Sequence, residues 1–143
     1  MKKLLLTLSL GFSMFVSASN VYAAADIDTL VKTYSEKYNV PYKLAEAIVS
    51  IESGNNPKVR GQKGEYGLGQ ILCSTAKKMG YNGKCDGLID PETNLTYSML
   101  YLREALNIAE NDACYASAIY SSGNTARPKR RTAYCRRVIK KME

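Results

Sequence analysis

Histidine and tryptophan are absent from the 143-residue chain, and its only two phenylalanines are Phe12 and Phe15, close to the N-terminus. Without His, a Ser-His-Asp triad, a Cys-His pair and any His-ligated metal site are excluded. The four cysteines form no C-x-x-C element, so a thiolate metal site has no basis either. Long apolar runs are also lacking. The one candidate, Leu4–Val16, is well short of the roughly 20 residues that span a bilayer. What remains is a one-domain length with 45% hydrophobic and 23% charged residues, a globular composition.

The N-terminus reads as a secretory signal peptide over residues 1–23. Lys2 and Lys3 precede the apolar stretch, and Val21-Tyr22-Ala23 offers the small residues a signal peptidase requires, with Ala25 as an alternative cut. Residues 24–143 then form the mature domain, periplasmic or extracellular. Its aromatic residues are all Tyr, whose apolar ring and polar tip suit partly wet sites as well as a helical core. Cys73, Cys85, Cys114 and Cys135 all lie in this part, and an even count in an exported chain points to disulfides. Three pairings are open. Cys73–Cys85 with Cys114–Cys135 is favoured because each closes a short loop.

The mature part has helical periodicity nearly throughout and no internal repeat. Ile27, Leu30, Val31, Tyr34 and Tyr38 mark a first helix that stops near Asn39. Pro41 stands at the next helix start, where its missing N–H costs nothing, and Leu44, Ala47, Ile48 and Ile51 make a stripe ending at Gly54. Residues 55–67 are polar and glycine-rich, a loop or small hairpin. A third helix is expected from about Leu68 to Gly80. Asp90-Pro91-Glu92 combines a capping side chain, Pro at the first helical position and an acid in the first turn. The helix it opens, with Leu95, Met99, Leu102, Leu106 and Ala109 on one face, is expected to be the buried central one. A short helix over Ala113–Ser121 breaks at Gly123 and Pro128. The expectation is a small, mainly α domain with a small loop or hairpin region.

Net charge is +7, from 20 Lys+Arg against 13 Asp+Glu. Arg127, Lys129, Arg130, Arg131, Arg136, Arg137, Lys140 and Lys141 concentrate it in the tail. Behind a signal peptide this suits an anionic envelope surface rather than nucleic acid, and a solvated helix face explains it equally well.

Acid–base chemistry without His falls to carboxylates, Lys, Tyr or Cys, with the cysteines expected in disulfides, and one carboxylate stands out by position. Glu52 closes the apolar helix directly before Ser53-Gly54. The negative end of the helix macrodipole disfavours its ionised form, and apolar walls would do the same by desolvation. Both prepare a neutral carboxyl able to act as a general acid.

The segments around Glu52 carry a resemblance. Glu52-Ser53 with Asn56-Pro57, then Gly64-Glu65-Tyr66-Gly67-Leu68-Gly69-Gln70-Ile71 and Ser74-Thr75-Ala76, resemble the lytic transglycosylase signature of the goose-type lysozyme superfamily. Asn94-Leu95 with Tyr101-Leu102 and Ala118–Gly123 are similar to two later family elements, so the likeness spans nearly the whole mature chain. Four motifs in order make it specific. Gly61, Gly69, Cys73, Ser98 and Ser121 depart from the family pattern, at positions commonly Ser, Met, Pro, Gly and Asn.

The resemblance implies cleavage of the β-1,4 bond between N-acetylmuramic acid and N-acetylglucosamine in peptidoglycan. Ordinary glycosidases use two carboxylates. Here one glutamate, Glu52, would serve as acid and then base, giving a 1,6-anhydro product with neither metal nor cofactor. By residue match, Gln70 and Tyr120 would contact the sugar, Ser53, Tyr66 and Leu68 would shape the cleft, and Asn94 would support the loop. Glu65 is either a loop carboxylate in water or paired with Lys63, or a second acid that activates water. The alternatives are a hydrolytic muramidase on the same fold and a non-catalytic wall-binding protein. The size class implies a monomer acting on glycan strands, in service of an envelope-spanning secretion, conjugation or phage-related machine.

Overall fold

The computed structural model describes residues 24–123 and 131–143; the proposed signal peptide, and Arg127, Pro128, Lys129 and Arg130 of the tail, lie outside the described residues. The described part is mainly helical. Helices α1 (Ala24–Lys37), α2 (Tyr42–Ser53), α3 (Cys73–Lys78), α4 (Pro91–Ile108), α5 (Ala113–Ser122) and α6 (Ala133–Met142) surround a two-residue hairpin of β1 (Glu65–Tyr66) and β2 (Ile71–Leu72). The strands are antiparallel, with Glu65 opposite Leu72 and Tyr66 opposite Ile71. The helix stripes read from the sequence become one core.

Central α4 is capped as its sequence requires: the Asp90 carboxylate accepts from the Thr93 N–H at 2.8 Å, and Pro91 fills the first position. Leu95, Met99, Leu102, Ala105 and Leu106 on this helix are all at most 1% exposed. They meet Leu44, Ile48 and Val49 of α2 and Ile119 of α5 in the same apolar cluster. α6 packs across both α2 and α5. That crossing brings the C-terminal segment to the end of α2, where Glu52 sits.

The third helix starts later than periodicity suggested. Residues 68–70 form a turn, and α3 runs only over Cys73–Lys78. Gly67 (φ +62°) and Gln70 (φ +46°) hold left-handed conformations that no helix continues through. Leu68 and Ile71 mimic a helical stripe because both reach the core, Leu68 from the turn and Ile71 from β2.

What holds that loop is Asn94, fully buried on α4. Its Oδ1 accepts from the Gly69 N–H at 2.8 Å, while its Nδ2 donates to the Tyr66 carbonyl at 2.6 Å and the Leu88 carbonyl at 2.7 Å. One side chain thus ties the loop, a 3-10 turn (Cys85–Ile89) and α4 together.

Two of the positions that depart from the family pattern, Gly69 and Ser98, are in contact. A Cβ on Gly69 would lie 2.2 Å from Ser98 Oγ and 2.7 Å from both Ser98 Cβ and Tyr120 Oη. The small residue sits on the loop, and the larger one on the helix. Gly69→Ala is expected to cost about 2 kcal/mol by overpacking. Adding Ser98→Gly should recover only part of that loss, because the contact with Tyr120 Oη remains and Gly weakens α4, yet the pair should still be non-additive in denaturant midpoints.

Both favoured disulfides are present. Cys73–Cys85 ties the start of α3 to the 3-10 turn, and Cys114–Cys135 ties α5 to α6. Each contributes about 3 kcal/mol in the chain-entropy model. The second also fastens the residue beside Tyr134, which matters for the cleft.

Candidate active site

Glu52 lies in the last turn of α2, one residue before its end at Ser53. α6 delivers a partner to it: the Tyr134 hydroxyl donates to Glu52 Oε1 at 2.5 Å. Arg137, one turn further along α6, has its guanidinium 5.5 Å from the Tyr134 ring centroid.

Burial pushes the Glu52 carboxyl above its ordinary 4.5; the Tyr134 hydrogen bond and Arg137 pull it down, Glu65 pushes it up, and the net direction is upward. The helix C-terminus acts in the same direction. Burial and the nearby Glu52 raise the Tyr134 phenol, which therefore stays neutral and donates. The Tyr120 phenol is also raised by burial. It donates to the Gly69 carbonyl at 2.7 Å, so its ring is fixed between α5 and the loop.

Of these groups, Glu52 and Tyr120 line a cavity of about 430 Å³, whose walls also include Gly61, Glu65, Gln70 and Tyr101. Such a volume lies in the range of small-ligand sites. The Tyr101 and Tyr120 rings meet at 5.3 Å between centroids, forming an aromatic wall. Ser121 and Thr75 add hydroxyls. Among the described residues, no group of three or more Cys, Asp or Glu side chains gathers that could hold a metal ion.

The residues singled out from sequence divide into two sets. Glu52, Gln70 and Tyr120 are brought together on the cavity wall. Gln70 spends its Nε2 on the Val59 and Gly67 carbonyls (3.1 and 2.9 Å), leaving its Oε1 beside Gly61. Ser53, Tyr66 and Leu68 are not among the lining residues. The Ser53 hydroxyl donates to the Val49 carbonyl at 3.0 Å. The Tyr66 ring lies under the Arg60 guanidinium at 4.1 Å, itself paired with Asp86 at 3.0 Å. Leu68 is wholly buried. Tyr66 and Leu68 lie behind the wall in the loop and its hairpin, and Ser53 bonds back to its own helix.

Sequence reasoning missed Tyr134 and gave no cleft role to Tyr101. Tyr134 sits in a segment dominated by charge, where Arg136, Lys140 and Lys141 are indeed exposed. The signal was its position directly before Cys135: a cysteine bridged to α5 fixes its neighbour near the same helix. Tyr134→Phe removes the donor that favours the ionised carboxylate. The expected result is a basic limb of the pH–rate profile displaced to higher pH and turnover lowered about tenfold. An unchanged profile would deny Tyr134 any hold on Glu52.

Comparison with known proteins agrees with this architecture. A soluble lytic murein transglycosylase of Escherichia coli K12 is 37% identical over 101 residues, 66% of this chain and 16% of that protein. Membrane-bound lytic murein transglycosylase E of Buchnera aphidicola is 33% identical over 110 residues, covering 68% of this chain and 50% of that one. The crystal structure of the 70 kDa soluble lytic transglycosylase of Escherichia coli superposes with a TM-score of 0.68 at 27% identity, over 80% of this chain and 23% of that one. The chain thus spans between about a sixth and a half of the length of these relatives. The model of the transglycosylase SLT domain matches residues 29–141, and the chain belongs to that family.

Proposed function

We propose that this chain is a peptidoglycan lytic transglycosylase in which Glu52 alone performs the acid–base work. The observation that carries the reading is a carboxyl raised by burial, hydrogen-bonded by Tyr134 and opening on a tyrosine-walled cleft. The family, and relatives named as lytic murein transglycosylases, support the same substrate class.

In the first step the Glu52 carboxyl gives its proton to the glycosidic oxygen as the bond from that oxygen to the anomeric carbon breaks. The sugar's own acetamido oxygen bonds to the anomeric carbon and holds the positive charge. Glu52, now a carboxylate steadied by the Tyr134 hydroxyl, takes the proton of the sugar's 6-hydroxyl. That oxygen attacks the anomeric carbon and displaces the acetamido oxygen. The 1,6-anhydro ring closes without water, and Glu52 ends protonated, ready for the next bond. A raised carboxyl suits both halves, since it holds its proton to higher pH for the first step and is the stronger base in the second.

The wider reading assigns residues 1–23 to a cleaved leader and 24–143 to a monomeric catalytic unit outside the inner membrane, without nucleic acid or cofactor. The charged start and small-residue cleavage site support export. Service to an envelope-spanning or phage-related machine belongs to the same reading. The test is digestion of purified peptidoglycan by the mature wild type and by Glu52→Gln, with products separated by mass. Anhydro-muropeptides from the wild type alone support the assignment. Products one water heavier convict a muramidase, and no product from a folded wild type leaves wall binding as the function.

A further inference from the structure

Glu65 is the second acid on the cavity wall, half-buried, with one carboxylate oxygen held by the hairpin turn. The hairpin turn before β1 is closed by the Gly61 N–H donating to the Glu65 carbonyl at 3.0 Å and the Gly64 N–H donating to the Gly61 carbonyl at 3.2 Å. The Lys63 backbone N–H then donates to Glu65 Oε2 at 2.9 Å, folding the carboxylate back over the turn. This is a main-chain contact; the Lys63 side chain makes no ion pair with it among the described residues.

Position 61 makes that seat. A Cβ there would stand 2.2 Å from Glu65 Oε2, 2.9 Å from its Cδ and 2.7 Å from Gln70 Oε1. The Gly61 backbone is outside the left-handed region, so the missing side chain serves space and not backbone freedom. Glycine at 61 and glutamate at 65 therefore belong together: one vacates the volume that the other's carboxylate fills. The carboxylate borders the same cavity as Glu52 and acts on it electrostatically. With one bond from Lys63, it retains capacity to accept more.

We propose that Glu65 is a second substrate-contacting carboxylate: from the hairpin wall it accepts an O–H or acetamido N–H of the reacting sugar and stabilises the positive charge that develops at the anomeric carbon. This rests on the transglycosylase reading above. No covalent bond to Glu65 forms and no proton leaves through it; its contribution is a fixed charge and an acceptor at the reacting centre.

The experiment compares wild type, Glu65→Gln, Gly61→Ala and the double variant on purified peptidoglycan, reading kcat, KM, pH profile, product mass and Tm. Glu65→Gln should lower kcat about ten- to a hundredfold with KM within about twofold and Tm within about 2 °C. Gly61→Ala should reproduce much of that loss, because its new Cβ displaces the end of a flexible side chain. The double variant should lose less than the sum of the two single losses, with any loss beyond Glu65→Gln coming from the contact of the new Cβ with Gln70 Oε1. The groups facing Glu52 are Tyr134 and Arg137 on α6, Tyr120 on α5 and Glu65 on the hairpin. Of these only Glu65 pushes Glu52 upward, so its removal should carry the basic limb to lower pH, opposite to Tyr134→Phe.

Wild-type kcat and profile in Glu65→Gln would overturn the proposal while leaving the transglycosylase reading intact. A loss of rate that tracks a loss of Tm would assign Glu65 a structural role instead. Hydrated products that vanish selectively in Glu65→Gln would make it a base for water, also contrary to the proposal. An inactive but folded wild type removes the parent reading, and this one with it.

Discussion

Replacing Glu52 with Gln is expected to lower turnover by about three orders of magnitude and, at neutral pH, to raise stability. The first effect follows because Gln cannot donate or accept the proton at the glycosidic and 6-hydroxyl oxygens, while its amide oxygen can still receive the Tyr134 hydroxyl. The second follows from linkage. The folded protein holds the Glu52 proton more tightly than the unfolded chain does, since burial raises the carboxyl above 4.5.

A raised carboxyl is neutral in both states below its unfolded value, and its favourable contribution is then complete. As pH climbs through the raised folded value, that contribution is lost, and the wild type carries an ionised group in a site that disfavours it. Glu52→Gln escapes this cost. Its Tm advantage should appear as pH rises above about 4.5 and be absent in more acid solution. Thermal melts across that range, paired with turnover measurements, check both halves. Loss of activity with no pH-dependent gain would mean that Glu52 is not held in a disfavoured state. A stabilising, inactivating change of this kind is the expected signature of a strained functional group.

Asn94→Ala should be the most damaging single change away from the cleft. It leaves the Gly69 N–H and the Tyr66 and Leu88 carbonyls without partners in a buried setting. Unpaired buried groups cost about 1–3 kcal/mol each, and the sum is relieved when the loop shifts. A net loss of about 3 kcal/mol follows, lowering Tm by about 10 °C for a domain of this size. Asn94→Asp should restore little, because the Nδ2 donor serves two of those groups. Activity should fall beyond the unfolded fraction, since Gly69 also anchors the Tyr120 hydroxyl and its neighbour Gln70 lines the cavity. Equal Tm values for Asn94→Ala and wild type would show that the loop holds itself without α4.

Helices with local signals were legible from sequence. Asp90-Pro91-Glu92 placed the start of α4, and the apolar stripe through Ile48 with Gly54 after it bounded α2. The loop between them and α3 was not, because Leu68 and Ile71 share helical spacing while the chain passes through left-handed turns whose reason lies in Asn94, distant in sequence. The contact between Gly69 and Ser98 was invisible for the same reason: the two positions meet only where α4 and the loop pack together.

The site divides along similar lines. Glu52 stood out in the sequence because it closes an apolar helix, whose end acts on it locally, and because the segments after it resemble a family signature. Tyr134 did not, since it reaches Glu52 across 82 residues once α6 folds over α2. Gly61 read as a lost hydroxyl, whereas in three dimensions it is the space beneath Glu65. Ser53, Tyr66 and Leu68 belong to motifs whose conformation positions the wall without forming it.

The central claim is that Glu52 closes the sugar on its own 6-hydroxyl without admitting water. Digestion of peptidoglycan in heavy-oxygen water tests it most directly, with the new glycan ends examined by mass. The account predicts anhydro ends carrying no heavy oxygen, formed by wild type and not by Glu52→Gln. Heavy oxygen at the newly formed reducing ends would contradict it and make the enzyme a hydrolase.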